Sequence, residues 1–400
     1  MPAPRRTMST LAGFWVVAAS FTTVTAYATV PTPLYPLYQA QDGFPVPVIT
    51  LIFAAFAVGV VVSLFLVGHI SDWVGRRRMI LIAVSVSAVS AVIFLVWNAV
   101  PGLIVARFVD GVSVGTLTAA ATTHLAELRS RARPDESPAF AASVAGAANL
   151  GGLALGPLIG GLFAEFLPDP LELPHALFLA LFVAALPVLR SVPETVLTPA
   201  SPPAYRPQRI ALPSASRSAF AAAGIGAAAS FALFALFTSL APTFLHERFR
   251  VTDHLADGAA VFAVFGAAAL AQLVLARVAQ RVQLTIAIAC FALGLASIAL
   301  GAVVPSLALF LIGGIVAGAG AGIMFRSGIA TAATVAEPDR RGETLALLFL
   351  IAYVGLVVPV LIVGVSLAFV PETTVLLVFS ALVLVATIGA GVVMRRRAAA

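Results

Sequence analysis

The feature that most constrains this chain is a series of long apolar runs without a charged residue. Ten such runs occur, at residues 7–41, 43–71, 79–106, 137–164, 173–189, 218–245, 258–276, 282–325, 344–371 and 373–394. A helix needs about 20 apolar residues, with a range of about 17–25, to cross the hydrocarbon core of a bilayer. We therefore expect an all-α membrane protein.

Two details set the number of crossings. The run 282–325 is too long for one helix and contains Pro305, so it is divided in two; a further helix begins near Pro101 and includes Arg107 and Asp110. We predict twelve transmembrane helices at residues 11–35, 47–70, 79–98, 101–125, 138–164, 173–191, 218–245, 255–277, 282–303, 305–328, 343–369 and 372–394.

Composition supports a chain that lies mostly in lipid. Only 10% of the residues are charged and 61% are apolar, whereas soluble proteins carry about 25% charged residues. All 23 basic residues are Arg, in short clusters between apolar runs. This pattern indicates anchoring to the lipid bilayer and no binding to nucleic acid. The single Cys290 excludes an intrachain disulfide and a cysteine metal site.

The positions of the arginines predict the orientation. Cytoplasmic loops hold an excess of basic residues. With the N-terminus inside, 20 arginines fall in the inner segments, and only Arg248 and Arg250 fall in the outer loops. We predict a multi-pass protein of the cell membrane with both termini in the cytoplasm. Arg5 and Arg6 before an apolar run resemble a signal peptide, but no small-residue cleavage site follows, so we expect an uncleaved first helix.

The longest segment between predicted helices divides the chain. Residues 192–217 are rich in Pro, Ser, Ala and Arg and lie between the sixth and seventh spans. We predict a six-helix bundle over 1–191, a cytoplasmic linker over 192–217 and a second six-helix bundle over 218–400, a plan used by one large class of secondary transporters. The chain has no Lys, so it contains no phosphate-binding loop of the GxxxxGK type.

The loop between the second and third spans carries a specific motif. It reads Gly68-His-Ile-Ser-Asp72-Trp-Val-Gly75-Arg76-Arg77-Arg78. Gly68 suits a helix end and Gly75 a tight turn, and Asp72 suits the positive N-terminus of a neighbouring helix. A generic basic loop explains the arginines but not the Asp and Gly spacing. The motif resembles the signature loop of the major facilitator superfamily.

That resemblance implies a cytoplasmic gate made of Gly68, Asp72, Gly75, Arg76 and Glu127. We expect Asp72 to lie against the start of the eleventh helix, near residue 342. We also expect Arg76 to bridge to Glu127 at the inner end of the fourth helix.

The fourth span contains charged residues at membrane depth. It reads Arg107-Phe-Val-Asp110-Gly111-Val-Ser113-Val-Gly115 and resembles the helix-four Arg motif of the same superfamily, with Asp110 in place of the more usual Gln. Intramembrane charges are costly and usually functional, and residues three apart share a helix face. We expect Asp110 to carry the coupling proton with Arg107 as its partner. The alternative is a purely structural ion pair.

The fifth span contains the segment Gly152-Leu-Ala-Leu-Gly156-Pro157-Leu-Ile-Gly160-Gly161. It resembles a pattern that is typical of antiporters in the same superfamily, especially drug–proton exporters. Pro157 removes a backbone donor, and the small residues allow close helix approach. The resemblance implies a packing hinge in an exporter; the alternative is a generic glycine-rich packing face.

The remaining candidates are polar or aromatic residues within the spans. Tyr27, Asn149, Phe231, Phe234 and Tyr353 are candidates for a substrate cavity, although aromatic side chains in such spans more often face lipid or the core. The first helix lacks the acidic residue that some exporters of cationic drugs carry. The chain as a whole resembles the drug–proton antiporter branch of the superfamily, in particular actinobacterial exporters.

Three functions follow in order of preference. The first is a monomeric secondary transporter that expels a small, largely apolar molecule or drug by proton-coupled alternating access, and so confers drug resistance. The second is an uptake symporter or facilitator for a metabolite such as a sugar, which a cavity rich in Asn, Gln and Trp would favour. The third is a membrane enzyme, but no acidic cluster and no nucleophile–base pair is visible. We predict no enzyme, no cofactor and no metal.

The topology is tested by a cysteine in the predicted linker. Ser201→Cys is expected to react with a membrane-impermeant maleimide only after the cells are opened, because the linker is cytoplasmic. Labelling of Ser201→Cys in intact cells would contradict the two-bundle topology, and the cysteine introduced in Arg250→Cys is the outward-facing control.

Overall fold

The structure is a computed structural model that describes residues 7–67, 70–136, 138–196, 217–337 and 341–397. All regular elements among these residues are helical, which confirms the expected all-α class. The α-helices are α1 Thr10–Tyr27, α2 Tyr35–Asp42, α3 Val46–Leu66, α4 Ser71–Val74, α5 Arg76–Val96, α6 Val100–Ala132, α7 Pro138–Phe166, α8 Leu173–Leu189, α9 Arg217–Ala235, α10 Ala241–Glu247, α11 His254–Val274, α12 Gln280–Val303, α13 Leu307–Val335, α14 Arg341–Ser366 and α15 Glu372–Arg397.

The helices account for the predicted crossings in order. Within the described part of the chain, 11 helical segments are long and apolar enough to cross a membrane. The sixth predicted crossing corresponds to α8, which is apolar but has 17 residues, at the lower end of the usual length. α6 and α13 continue to Ala132 and Val335, beyond the predicted ends at 125 and 328.

The first and seventh crossings are interrupted, which corrects the prediction of single helices over 11–35 and 218–245. α1 ends at Tyr27, and the chain passes through a 3₁₀ turn, Thr32–Leu34, before α2. Prolines 31, 33 and 36 explain this break, because each lacks the N–H that an α-helix needs.

The interruption in the seventh crossing is a π-helical turn, Leu236–Leu240, between α9 and α10. The Ala241 N–H bonds to the carbonyl of Leu236, five residues back. Pro242 follows directly and lacks the N–H that an α-helix would direct to the Thr238 carbonyl. Interrupted helices at corresponding positions of two halves are a marker of the binding region in transporters with internal repeats.

Packing divides the described residues into two compact units. The first contains those of 1–30, 55–156 and 167–208, and the second those of 31–54, 157–166 and 209–400. Residues 31–54 and 157–166 of the predicted N-terminal bundle therefore group with the C-terminal helices. In the first unit α6 packs on α1 and α5, and in the second α13 packs on α9 and α12. The division into two six-helix bundles over 1–191 and 218–400, joined by a linker over 192–217, stays a prediction.

In the first unit, α7 lies against α1 with the two backbones in contact. A Cβ atom on Gly156 would overlap the carbonyl oxygen of Ala26, and one on Gly152 would lie 2.6 Å from the carbonyl oxygen of Thr22. Only glycine permits this approach, since any side chain would separate the two helices. The close helix contact that the fifth-span motif suggested is therefore present.

The same contact repairs the hydrogen bond that Pro157 removes. Without an N–H at Pro157, the carbonyl of Leu153 has no donor four residues ahead. The hydroxyl of Thr29 donates to that carbonyl at 3.0 Å. Thr25 likewise donates to the Ala148 carbonyl at 3.1 Å. Threonines at the end of α1 thus satisfy carbonyl groups of α7 that lipid cannot satisfy.

In the second unit, the rest of the motif contacts α11. A Cβ atom on Gly258 would overlap the carbonyl oxygen of Pro157, and one on Gly161 would lie 2.6 Å from that of His254. Gly160 is buried. The motif therefore supplies one glycine contact to α1 within the first unit and another to α11 within the second.

The glycine contact in the first unit predicts that alanine at position 156 destabilises the protein much more than alanine at position 151. Gly156→Ala should lower the free energy of unfolding by about 1–3 kcal/mol, because the new methyl group overlaps the α1 backbone. Gly151→Ala is the control, since nothing lies within 4 Å of its Cβ position. The measurement is the thermal unfolding midpoint of both purified variants in detergent. Equal midpoints for the two variants would show that the α1–α7 contact does not form.

Candidate functional site

The most buried charges of the first unit form an ion pair within α6. Nη1 of Arg107 lies 2.9 Å from Oδ2 of Asp110, and the two side chains are 2% and 0% exposed. The spacing of three residues places both on one face of the helix. The structure thus brings together the two residues that the fourth-span motif singled out; their role in coupling stays a prediction.

Two further groups hold the guanidinium of Arg107. Its Nη1 donates to the carbonyl of Ala28 at 2.7 Å, and its Cζ lies 4.4 Å from the centre of the Phe56 ring. Ala28 directly follows α1, where carbonyl groups lack partners within the helix. A cation over an aromatic face is attracted by the ring quadrupole, more strongly when both are desolvated. The break in α1 and the ring on α3 therefore define the position of Arg107.

Glycines bring α3 close enough to place this ring. A Cβ atom on Gly111 of α6 would overlap the carbonyl oxygen of Phe56, and one on Gly59 of α3 would overlap that of Phe108. These glycines let the two backbones touch, as small residues do in membrane proteins. The short distance between the helices sets the Phe56 ring against Arg107.

The pair retains unused hydrogen-bonding capacity. Oδ1 of Asp110 and Nε of Arg107 are buried and have no hydrogen-bond partner among the described residues. Two opposing influences act on such a carboxyl group: burial favours the neutral acid, and a nearby guanidinium favours the carboxylate. The balance between these two influences depends on the distance between Arg107 and Asp110.

A buried histidine lies in the aromatic cluster next to the α1 break. The hydroxyl of Tyr27 and Nδ1 of His175 are 3.0 Å apart, and the imidazole stacks on Phe94 with the ring centres 4.3 Å apart. His175 was not among the predicted site residues, although an ionisable residue in an apolar run is itself a signal. Tyr27 is fully buried and offers no surface in this conformation, so its place in a substrate cavity stays a prediction.

The signature loop is part of a charged network at the start of α5. Arg76 Nη2 lies 3.5 Å from Oε1 of Glu127, the bridge that we expected. Glu194 accepts hydrogen bonds from the backbone N–H groups of Arg76 at 3.0 Å and Arg77 at 3.2 Å. This carboxylate therefore caps the positive end of α5. Glu194 was not among the predicted site residues.

Gly75 is required on two counts at this point. Its φ of 114° is one that other residues rarely adopt, and a Cβ atom would lie 2.6 Å from Oε2 of Glu194. The hydroxyl of Thr195 in turn lies 2.8 Å from Nδ1 of His124. Gly68 and the side chain of Asp72 lie outside the described residues, so the contact of Asp72 with residue 342 stays a prediction.

In the second unit, aromatic residues of four helices meet. Phe231 of α9 packs on Tyr353 of α14 at 5.3 Å and on Phe325 of α13 at 4.9 Å between ring centres. Phe234 stacks on Phe265 of α11 at 4.6 Å. Three of the predicted cavity residues, Phe231, Phe234 and Tyr353, therefore belong to one cluster. Asn149 is half-buried on α7.

A chain with this many apolar crossings, two interrupted helices and a buried intramembrane ion pair has the features of a polytopic membrane transporter. The sequence profile described as Major Facilitator Superfamily matches residues 11–358. The chain belongs to this superfamily, and it is accordingly a transporter and not an enzyme. No curated protein sequence matches the chain significantly.

Solved structures show the same fold. A bacterial homologue of the human lysosomal transporter Spinster, in an inward-facing and unoccupied conformation, is 15% identical, with a TM-score of 0.73 over 99% of this chain and 98% of that one. The human organic anion transporter MFSD10 is 20% identical, with a TM-score of 0.70 over 98% and 100%. A variant of the nucleoside transporter NupG is 14% identical, with a TM-score of 0.70 over 95% and 99%. At these identities the likeness establishes the fold alone.

The buried pair predicts that loss of Arg107 alone destabilises the protein more than loss of both charges. Arg107→Ala should lower the free energy of unfolding by about 3–5 kcal/mol, because it leaves the carboxylate of Asp110 buried and unpaired. The double variant Arg107→Ala, Asp110→Asn should be more stable than Arg107→Ala alone, since the unpaired charge is gone. Arg133→Ala, at an exposed arginine that directly follows α6, is the control and should change stability by at most about 1 kcal/mol. Additive losses in the double variant, measured by thermal unfolding in detergent, would contradict the pairing.

Proposed function

We propose that this protein is a proton-coupled exporter of a small, largely apolar molecule, in which Asp110 carries the coupling proton. One observation supports this above all: Asp110 is completely buried, yet one of its carboxylate oxygens has no partner among the described residues. A purely structural ion pair would be expected to use both oxygens, because an unsatisfied buried acceptor costs about 1–3 kcal/mol. The open position suits an arriving proton.

The break in α1 supplies a means of switching the pair. Arg107 is shared between the Asp110 carboxylate and the Ala28 carbonyl. A movement of the α1 end that changes the Ala28 contact changes the pull of Arg107 on Asp110. When Arg107 is drawn away, burial favours the neutral acid and Asp110 takes a proton; when Arg107 returns, Asp110 gives the proton up. Transport and proton movement are thus coupled through one side chain.

The aromatic cluster of the second unit is the surface that we propose for the substrate. Phe231 and Tyr353 are half-buried, and their neighbours Phe234, Phe265 and Phe325 carry no charge. Such a surface binds an apolar or aromatic molecule through dispersion and ring packing. It offers few donors or acceptors for a sugar, which disfavours the uptake alternative.

The glycine–proline motif of α7 supports the export direction by resemblance only. We propose that it is a hinge, because its glycine contacts with α1 and α11 each depend on the absence of a side chain. We further propose that both termini face the cytoplasm. The Arg76–Glu127 bridge then belongs to a cytoplasmic gate, and the resemblance of the signature loop gives Asp72 a part in the same gate.

The proton role is tested with everted membrane vesicles that contain a pH-sensitive dye. A panel of apolar antimicrobial compounds is first screened for resistance in cells that overproduce the protein. In vesicles energised by respiration, an exported compound should release protons from the lumen through the wild-type protein. Asp110→Asn should abolish this response while the protein still accumulates in the membrane. Asp135→Asn, at an exposed residue that follows α6, is the matched control.

Two results would contradict parts of this proposal. Full proton release by the Asp110→Asn variant would make the pair structural, and the coupling group would have to be sought among the histidines or Asp257. Proton movement in the same direction as the compound would indicate uptake by symport in place of export.

A further inference from the structure

We propose that His246, His254 and Asp257 form a binding site for a divalent transition-metal ion such as Zn²⁺. All three residues belong to the second unit, at the end of α10 and the first turn of α11. Nε2 of His246 lies 2.9 Å from Oδ2 of Asp257, and Nδ1 of His254 lies 3.5 Å from the same oxygen. The three ligand atoms lie within 4.8 Å of one another.

Local structure fixes the direction of these side chains. Asp253 caps α11, and its Oδ1 accepts hydrogen bonds from the N–H groups of Leu255 at 2.7 Å and Ala256 at 3.1 Å. Capping begins the helix at His254, so that His254 and Asp257, three residues apart, share one face. His246 approaches from the last turn of α10.

The distances suit a metal with imidazole and carboxylate ligands. Zinc binds histidine nitrogen at about 2.0–2.1 Å and carboxylate oxygen at about 2.0–2.2 Å, which in tetrahedral geometry places neighbouring ligand atoms about 3.3 Å apart. The observed separations of 2.9 and 3.5 Å lie on either side of this value. Three protein ligands leave a fourth position for water, as in many zinc sites.

The burial of Asp257 favours a positive charge close to its carboxylate. Its side chain is 0% exposed, and its Oδ1 has no hydrogen-bond partner among the described residues; nor has Nδ1 of His254. A buried carboxylate is costly unless it is paired or coordinates a metal. Protonated imidazoles are one source of this charge; a dication compensates the carboxylate as well and uses the lone pairs of both rings. The histidine side chains are 21% and 18% exposed, which leaves a path for the ion.

The position of the cluster gives the site a structural consequence. The backbone N–H of His254 donates to Oε2 of Glu165, in α7, at 3.0 Å, and Gly258 packs on the carbonyl of Pro157. An ion bound here ties α10 to the turn of α11 that rests on the glycine–proline motif. No metal site was predicted from the sequence, in which His246 and His254 stand eight residues apart.

The test uses the purified full chain without a polyhistidine tag, titrated with Co²⁺. Coordinated Co²⁺ should give visible absorption bands that saturate near one equivalent and disappear when Zn²⁺ is added. Zn²⁺ should also raise the thermal unfolding midpoint, because an ion that binds only the folded state stabilises it. His246→Ala and Asp257→Asn should each weaken Co²⁺ binding at least about tenfold, since loss of even an outer-shell contact costs about 10–100-fold.

The controls separate a built site from general surface charge. Asp253→Asn removes a neighbouring negative charge but keeps a residue that can cap α11, so its Co²⁺ spectrum and its response to Zn²⁺ should match the wild type. His124→Gln, which changes a histidine of the first unit, should also match. No Co²⁺ spectrum in the wild type, or an equal loss of affinity in Asp253→Asn and His246→Ala, would overturn the proposal. A folded His246→Ala protein with unchanged affinity would overturn it as well.

Discussion

The structure depends on the rule that backbone carbonyl groups in lipid must find donors within the protein. Two carbonyl groups of the first unit, those of Leu153 and Ala28, lie at interruptions of the helical hydrogen-bond ladder, and each accepts a hydrogen bond from a side chain. Thr29 donates to the Leu153 carbonyl that Pro157 leaves without a partner. Arg107 donates to the Ala28 carbonyl just past the end of α1. Ala28 and Thr29, which directly follow α1, therefore take part in both of these hydrogen bonds.

Because the donor to the Ala28 carbonyl is Arg107, a positive charge is buried in the first unit, and Asp110 is its counterion. A guanidinium that is 2% exposed needs a counterion, and the carboxylate three residues further along α6 supplies it. The ion pair, the Phe56 ring and the Ala28 carbonyl then share one cation. Because a helix end supplies one of these partners, a movement of α1 alters the balance of the pair. In the function that we propose, the hydrogen bond from Arg107 to the Ala28 carbonyl therefore also controls proton binding by Asp110.

The sequence predicted the crossings and the main motifs because their signals are local. Apolar run length identified the spans. The charges within α6, and the resemblance of segments of α6 and α7 to superfamily motifs, identified Arg107, Asp110 and the glycines. The break after Tyr27 was missed, although prolines 31, 33 and 36 mark it, because apolar length was given more weight than proline. Glu194, His175 and the His246–Asp257 contact were missed for another reason. Their roles arise from residues that are distant in sequence or in separate helices, and no pattern in one segment shows such contacts.

The central claim is that Asp110 changes its protonation state during transport. Infrared difference spectroscopy on the purified protein measures this directly, because a buried carboxylic acid has a carbonyl band distinct from that of a carboxylate. Addition of an exported compound should change the carboxylic-acid band of the wild type, and the change should be absent in Asp110→Asn and retained in Asp135→Asn. An unchanged band in the wild type, or the same change in Asp110→Asn, would contradict the account.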